Sequence, residues 1–516
     1  MNRTILAISV ALAFGYAPIQ GEELKAVGQT LAEEAPVEAV RKLRLDGGTI
    51  TLVQRDTAPS LPGADGNAPG KPGNLPPRTI VKILLQPAKG SNVNVEIWLP
   101  DAARWNGRLL GLGNGGAAGH ISPGTLAGPS AGGYAAATTD LGTAPNADSG
   151  IGNPEVWKDF GFRATHLMTV VAKQVVAVFY GKAPEFAYFS GGSTGGQQAL
   201  QEAQRYPEDY DGIVGAIPAH CRTPLHAYFL WNDQILKKCA FTKAQYETII
   251  AAGNEYMAAR EIPPIAGKFV SDPRCSAQDI AAVIALVRQK DPTLTDEQAE
   301  GLRKLFDGPR HAVTGARIFG GVPLGSSFEP AHGNLYLFNW VFGREKKTDE
   351  INFGADIDTY TAALGPYLNA ENADLSAFEK RGGKLLMTVG SADSVVPYHA
   401  TVDYYERAID HFGSLEKVQS FCRLYVVPGM AHGGGPGINQ PPSLLEAVRS
   451  WREKGTVPGV QTVRRVVNGK TELEMPIFPY PTKTGWDEAT GSYKPVDGAR
   501  GGVERVAEQF RPAAAE

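Results

Sequence analysis

The segment of this sequence best suited to chemistry is Gly191-Gly192-Ser193-Thr194-Gly195. Residues 185–190 read as a strand before it, and 196–205 read as a helix after it. A serine at such a junction forms a nucleophile elbow. The turn is sharp enough to require small neighbours, and it lifts the hydroxyl above the C-terminal edge of a sheet. G-x-S-x-G arises by chance in a chain with 60 glycines, so the flanking elements carry the inference. The competing reading of the same residues is a Gly-rich strand-to-helix turn with a passive serine.

A serine hydroxyl needs a base, and on this kind of elbow the partners follow in the order serine, acid, histidine. Of nine histidines, His399, His411 and His432 come after a late strand-plus-acid unit. His432 lies in Pro428-Gly429-Met430-Ala431-His432-Gly433, a loop directly after the strand expected at 422–427. His399 and His411 fall at or within a helix and read as surface or packing residues. The matching acid is Asp393, which follows the strand expected at 384–389 and would fix the imidazole tautomer. Its bland reading is a turn aspartate. Asp140 also sits just past a strand, but it precedes the serine and breaks the order.

Acyl transfer at Ser193 also requires donors for an oxyanion. The amide of Thr194 is one, and the loop Leu110-Gly111-Leu112-Gly113-Asn114-Gly115-Gly116 supplies Gly115 and Gly116 as candidates for the other. The same run matches G-x-G-x-x-G, with Asp140 near the place of a ribose-binding acid. A dinucleotide site needs a helix opening at the last glycine. The residues after Gly116 read as loop, which disfavours that reading.

Strands are expected at 49–54, 79–85, 93–99, 108–112, 135–139, 185–190, 212–216, 384–389 and 422–427. Helices at 162–180, 196–205, 400–412 and 444–454 alternate with the later ones. That rhythm indicates an α/β class with a parallel sheet covered on both faces. Between about 220 and 370 helices dominate, with amphipathic stretches at 240–256, 277–289 and 296–306. The division expected is therefore 22–219 and 371–516 as two parts of one catalytic domain, with 220–370 inserted between them. No internal repeat is evident, and the Pro/Gly-rich segment 58–77 reads as an exposed loop.

Residues 1–21 read as a cleaved export peptide: Arg3, an apolar stretch from Ile5 to Ala17, then small residues. The expected location is therefore secreted or periplasmic, with no membrane association after cleavage. A net charge of −4 gives no sign of a nucleic-acid partner. Four cysteines, Cys221, Cys239, Cys275 and Cys422, permit two disulfides in three connectivities in an oxidising compartment. Cys422 reads more simply as a core thiol. No C-x-x-C or histidine-rich cluster points to zinc.

These motifs resemble the tannase and feruloyl esterase family of α/β-hydrolases. The similarity is carried by WNGRLLGLGNGGAAG from Trp105 and by KDFGFRATH from Lys158. It continues in YGKAPEFAYFSGGSTGGQQALQEAQRYPEDYDGIVGAIPA from Tyr180, in GSADSVVPYHATVDYYE from Gly390, and at 428–433. The resemblance implies an α/β-hydrolase fold with a mostly parallel central sheet and a large, mainly helical lid insertion. It implies roles in catalysis for Ser193, Asp393 and His432, and small-molecule ester substrates with an aromatic acyl part. Relatives usually carry a disulfide between the positions held here by Gly192 and Gly433. Many carry a calcium loop in the lid, whose Asp-Gly repeat is missing between Cys239 and Cys275. No cofactor is therefore expected, and calcium is doubtful. Gln197 stands where a basic residue is usual.

The leading expectation is an esterase acting on phenolic, feruloyl, galloyl or related esters through an acyl-enzyme. An acyltransferase on the same scaffold and a non-catalytic binding protein are the competing readings. The lid aromatics Phe328, Tyr336, Phe338, Trp340 and Phe342 could stack on a planar acyl group or form lid core.

Overall fold

Nine strands hydrogen-bond side by side into one twisted sheet in the order β1-β2-β3-β5-β4-β6-β7-β8-β9. They are β1 (Gly48–Asp56), β2 (Arg78–Leu85), β3 (Val93–Pro100), β4 (Arg108–Leu112), β5 (Ala135–Thr139), β6 (Phe186–Gly192), β7 (Gly212–Ala216), β8 (Lys384–Gly390) and β9 (Cys422–Val427). The coordinates are a computed structural model that describes residues 34–61, 75–260, 269–328, 335–432, 438–503 and 505–511. The export peptide expected at 1–21 and most of the loop expected at 58–77 lie outside the described residues.

β1, β2 and β3 pair antiparallel, β3 joins β5 antiparallel, and from β5 to β9 every pairing is parallel. Parallel strands need crossovers, which cover both faces, so their sequences turn apolar throughout. β5 is buried at every position, and β4 and β7 at all but one. Helix α1 (Ala164–Tyr180) packs Met168, Val171, Ala172, Val175, Val176 and Phe179 inward and stops at Gly181, whose φ of 71° gives a left-handed cap. Helix α2 (Thr194–Arg205) follows β6. The architecture is the α/β-hydrolase fold expected, with a mostly parallel central sheet.

Between β7 and β8 the chain adds α3 (Arg222–Lys238), α4 (Lys243–Arg260), α5 (Ala277–Lys290), α6 (Asp296–Asp307), α7 (Tyr336–Phe342) and α8 (Ala355–Leu368). The two ends of this insertion meet, because the Ala370 amide donates to the His220 carbonyl at 2.9 Å. After β8, α9 (Tyr398–Phe412) and α10 (Leu444–Lys454) complete the alternation. The chain then forms two hairpins that the sequence reading did not anticipate: β10 (Gln461–Val467) with β11 (Lys470–Ile477), and β12 (Lys483–Asp487) with β13 (Ser492–Val496). The first turns through Asn468 and Gly469 at φ 50° and 76°, a hairpin pair that tolerates positive φ at both positions.

All four cysteines are thiols, so the two disulfides that the count permits do not form. Cys221 and Cys239 flank the 17-residue α3. At 1.5 Å per residue they stand about 25 Å apart, far beyond bonding reach. Cys422 is buried in β9, as a core thiol.

The stem of the insertion is tied by charge. Glu371, just past α8, accepts from His220 Nδ1 at 2.6 Å and pairs with Arg407 of α9. Burial alone would raise its pKa, but Arg407 and His220 outweigh burial and hold the carboxyl at about 2. A folded value below the ordinary 4.5 means stability that is present above pH 4.5 and fades as pH falls toward 2. Glu371→Gln should lower stability at pH 7 by on the order of 3 kcal/mol, since it leaves Arg407 short of a counter-charge. Urea melts of wild type and variant should draw together as pH drops below 4.5 toward 2. A gap that stays constant with pH would contradict this.

Candidate active site

Ser193 sits between β6 and α2 at φ 59° and ψ −117°. Its amide donates to Ala216 O at 3.0 Å, and its carbonyl accepts from Gly196 N, Gln197 N and Ala219 N at 2.9 to 3.1 Å. The glycines follow from crowding. A Cβ on Gly191 would lie 2.5 Å from Gly195 O, and one on Gly195 would lie 3.1 Å from Gly113 Cα. Gly192 differs: its Cβ would meet nothing nearer than 3.6 Å, so a side chain fits where relatives are expected to carry a cysteine. Gly433 lies outside the described residues. Gln197 is fully buried in the first turn of α2.

The three residues singled out for chemistry come together. His432 Nε2 lies 3.2 Å from Ser193 Oγ, and His432 Nδ1 lies 2.9 Å from Asp393 Oδ2. The other carboxylate oxygen of Asp393, Oδ1, accepts from Val395 N and Val396 N at 2.8 Å each. With that carboxylate ionised, Nδ1 carries the imidazole proton and Nε2 is left to accept from the serine. The acid and histidine loops are bonded to each other. Ala392 N donates to Met430 O at 3.1 Å, and Gly429 N donates to Ser391 Oγ at 2.7 Å.

The rival residues are elsewhere. Asp140 accepts from Asn94 N at 3.0 Å, Asn94 Nδ2 at 2.6 Å and Gly142 N at 2.9 Å, which pins the end of β5 to β3. His411 pairs with Asp374 on the surface. His399 packs beside Gly320, and burial, with help from Arg317, lowers its pKa to about 4.

The loop after β4 lies against the elbow. Gly195 N donates to Asn114 O at 2.8 Å, Asn114 N to Gln198 Oε1 at 2.8 Å, and Thr194 Oγ1 to Gly116 O at 2.7 Å. A Cβ on Gly115 or Gly116 would meet nothing within 4 Å, so both face open space beside Thr194. No helix opens at Gly116 (the next begins at Pro123), which removes the dinucleotide reading. Of the three residues expected at the oxyanion, Thr194 follows the serine directly and bonds to Gly116, and Gly115 precedes Gly116 in the same loop.

Of the insertion's aromatics, Phe328 packs on Tyr246 and Phe306, Phe338 stacks on Tyr360, and Trp340 donates to Ala147 O at 2.6 Å. These three are core. Phe342 sits under Lys346. Tyr336 reaches the loop after β4, with its hydroxyl 3.5 Å from Gly116 O. Sequence reasoning missed Arg222, which joins Thr194, Gly116 and Tyr336 at the start of α3.

A family model described as tannase and feruloyl esterase matches residues 79–350 and 347–497. The chain belongs to the tannase and feruloyl esterase family. It is a carboxylic ester hydrolase. A probable feruloyl esterase of Arthroderma benhamiae is 30% identical over 440 residues, 76% of this chain and 80% of that one. An uncharacterized esterase of Xanthomonas campestris is 28% identical, over 78% of this chain and 80% of its own length. Among solved structures, feruloyl esterase B from Aspergillus oryzae superposes with a TM-score of 0.75 at 23% identity, covering 90% of this chain and 99% of that one. Tannin acyl hydrolase from Aspergillus niger gives 0.74 at 18% identity, over 93% and 97%. At these identities the two structures share the tannase and feruloyl esterase fold.

Asp393, not Asp140, is bonded to His432, so the two acids should separate cleanly. Asp393→Asn should cost about 10⁴-fold in kcat with the fold intact. Asp140→Asn should keep kcat within a few-fold but lower the melting temperature, since it loses a buried acceptor. Kinetics and thermal melts of both variants check this, and the reverse pattern would move the acid.

Proposed function

We propose that the chain is an exported serine esterase that cleaves aromatic carboxylic esters through an acyl-enzyme on Ser193. The observation that carries this reading is the continuous chain from Asp393 through His432 to Ser193 Oγ, at 2.9 and 3.2 Å. His432 Nε2 takes the Oγ proton as oxygen attacks the ester carbonyl. The amides of Thr194 and of Gly115 or Gly116 receive the oxyanion. His432 then returns the proton to the departing alkoxide, and water repeats the sequence to release the acid. Asp393 holds the tautomer and stabilises the imidazolium.

The aromatic acyl part is supported by the names of the relatives, feruloyl esterases and a tannin acyl hydrolase. The insertion at 220–370 acts as the lid, flanked by catalytic parts at 22–219 and 371–516. Nothing in this chemistry calls for a metal or cofactor. Asp272, the acid nearest the missing calcium pattern, is held by Arg274 and Lys483. Export rests on residues 1–21. Among the described residues no helix is long and apolar enough to cross a membrane.

A panel of feruloyl, galloyl, monoterephthaloyl and short aliphatic esters, each assayed with wild type and Ser193→Ala, tests the reading. Aromatic esters should exceed aliphatic ones in kcat/KM by about tenfold or more. Ser193→Ala should lose on the order of 10³-fold or more. A working Ser193→Ala, or a preference for aliphatic esters, would overturn the reading. Product that appears only when an alcohol acceptor is present would mark an acyltransferase, and binding without turnover would mark a retired scaffold.

A further inference from the structure

We infer that Arg222 is a positioning residue for the oxyanion pocket, an inference that rests on Ser193 being the acylated residue. Arg222 opens α3 and is only 3% exposed. Taking a guanidinium out of water is costly unless its donors are matched. Nη1 donates to Thr194 Oγ1 at 3.0 Å, and Nη2 donates to Gly116 O at 3.2 Å and to Tyr336 OH at 2.6 Å. The guanidinium carbon lies 5.2 Å from the ring centre of Phe160. Among the described residues its Nη partners are a hydroxyl, a carbonyl and a phenol rather than a carboxylate, and its buried Nε has no hydrogen-bond partner.

The bonds close a ring. Thr194 Oγ1 accepts from Arg222 and itself donates to Gly116 O, so the side chain next to the nucleophile and the carbonyl of the facing loop share one cation. Gly116 O is reached by three donors, counting Tyr336 OH at 3.5 Å. This matters because Gly115 and Gly116 have no side chains and face open space. Sterics alone leave such a pair free to turn, so anchoring the peptide plane that follows Gly116 limits how far the two amides before it can swing. The charge adds to this. A neutral ester gains little from a nearby cation, whereas a developing oxyanion gains more, so the benefit falls on the transition state. Tyr336, set edge-on to His226 and Trp340, carries the same bonds into the insertion.

The test compares Arg222→Met, Arg222→Lys and Tyr336→Phe for kcat, KM and affinity for an arylboronic acid, whose serine adduct is tetrahedral. Arg222→Met should lose about 10- to 100-fold in kcat, with KM within about threefold and boronate affinity falling in parallel. Arg222→Lys should recover part of both, because the charge stays while the two-armed geometry is lost. Tyr336→Phe should lose only severalfold. Unchanged kcat and boronate affinity in folded Arg222→Met would overturn the inference. So would a loss confined to KM for carboxylate-bearing esters, which would make Arg222 a substrate contact. Should Arg222→Met not fold, Thr194→Val decides, since it deletes the shared hydroxyl and keeps the amide. Its kcat and boronate affinity must fall together, and wild-type values would overturn the inference. If Ser193→Ala is dead while Arg222→Met is fully active, only this inference fails. If Ser193→Ala is active, the esterase reading fails with it.

Discussion

At φ 59° and ψ −117° the Ser193 backbone occupies a region that costs an L-residue about 1–3 kcal/mol, and the rest of the site is arranged around keeping it there. Four backbone hydrogen bonds hold it. Ala216 O takes the amide, while Gly196, Gln197 and Ala219 converge on the carbonyl. They recruit the end of β7 and the first turn of α2, so the serine cannot relax without disturbing both. The same crowding dictates the glycines. Gly113, Gly191 and Gly195 approach so closely that a methyl on either of the first two would collide with backbone, and one on Gly195 would crowd it.

The sheet converts this local constraint into a site. Because β4, β6, β8 and β9 run parallel, their C-terminal ends lie along one edge, and the loops leaving them carry Gly115–Gly116, Ser193, Asp393 and His432 respectively. Neighbouring loops then bond to one another: the loop after β4 to the elbow through Asn114, the acid loop to the histidine loop through Ser391 and Met430. The insertion leaves the same edge after β7 and is clasped at its stem by His220, Glu371 and Arg407. Arg222 and Tyr336 sit where that insertion meets the elbow. Loops tied by packing and hydrogen bonds, with every cysteine a thiol, are the means by which this chain holds its geometry.

Much of this is legible in the sequence because it is local. The strands β4, β5, β7 and β9 are bounded as their apolar runs indicate, and the elbow is announced by small residues between a strand and a helix. What escaped has physical reasons. α3 is buried almost all round, so it lacks the one-sided stripe that marks an amphipathic helix. α8 carries Gly365-Pro366 inside its last turn, which reads as a break. The C-terminal hairpins are short and largely solvent-facing, and their one strong cue is Asn468-Gly469. Arg222 could not be found by pattern at all. Its partners come from three separated segments, and only the fold makes a buried cation among Thr194, Gly116 and Tyr336 visible. The insertion's aromatics show the limit of composition: Tyr336 and Trp340 lie one turn apart on the same side of α7 and touch each other, yet Trp340 bonds to Ala147 O while the Tyr336 hydroxyl meets Arg222.

The central claim is that Asp393 and His432 make Ser193 a nucleophile, and covalent trapping tests it most directly. Wild type and His432→Ala would be treated with an aryl fluorophosphonate, digested, and mapped by mass spectrometry with the labelling rate followed. The account predicts a single adduct on the peptide holding Ser193, formed on the order of 10³-fold more slowly without the histidine. An adduct elsewhere with Ser193 unmodified, or labelling at Ser193 that is indifferent to His432, would contradict it.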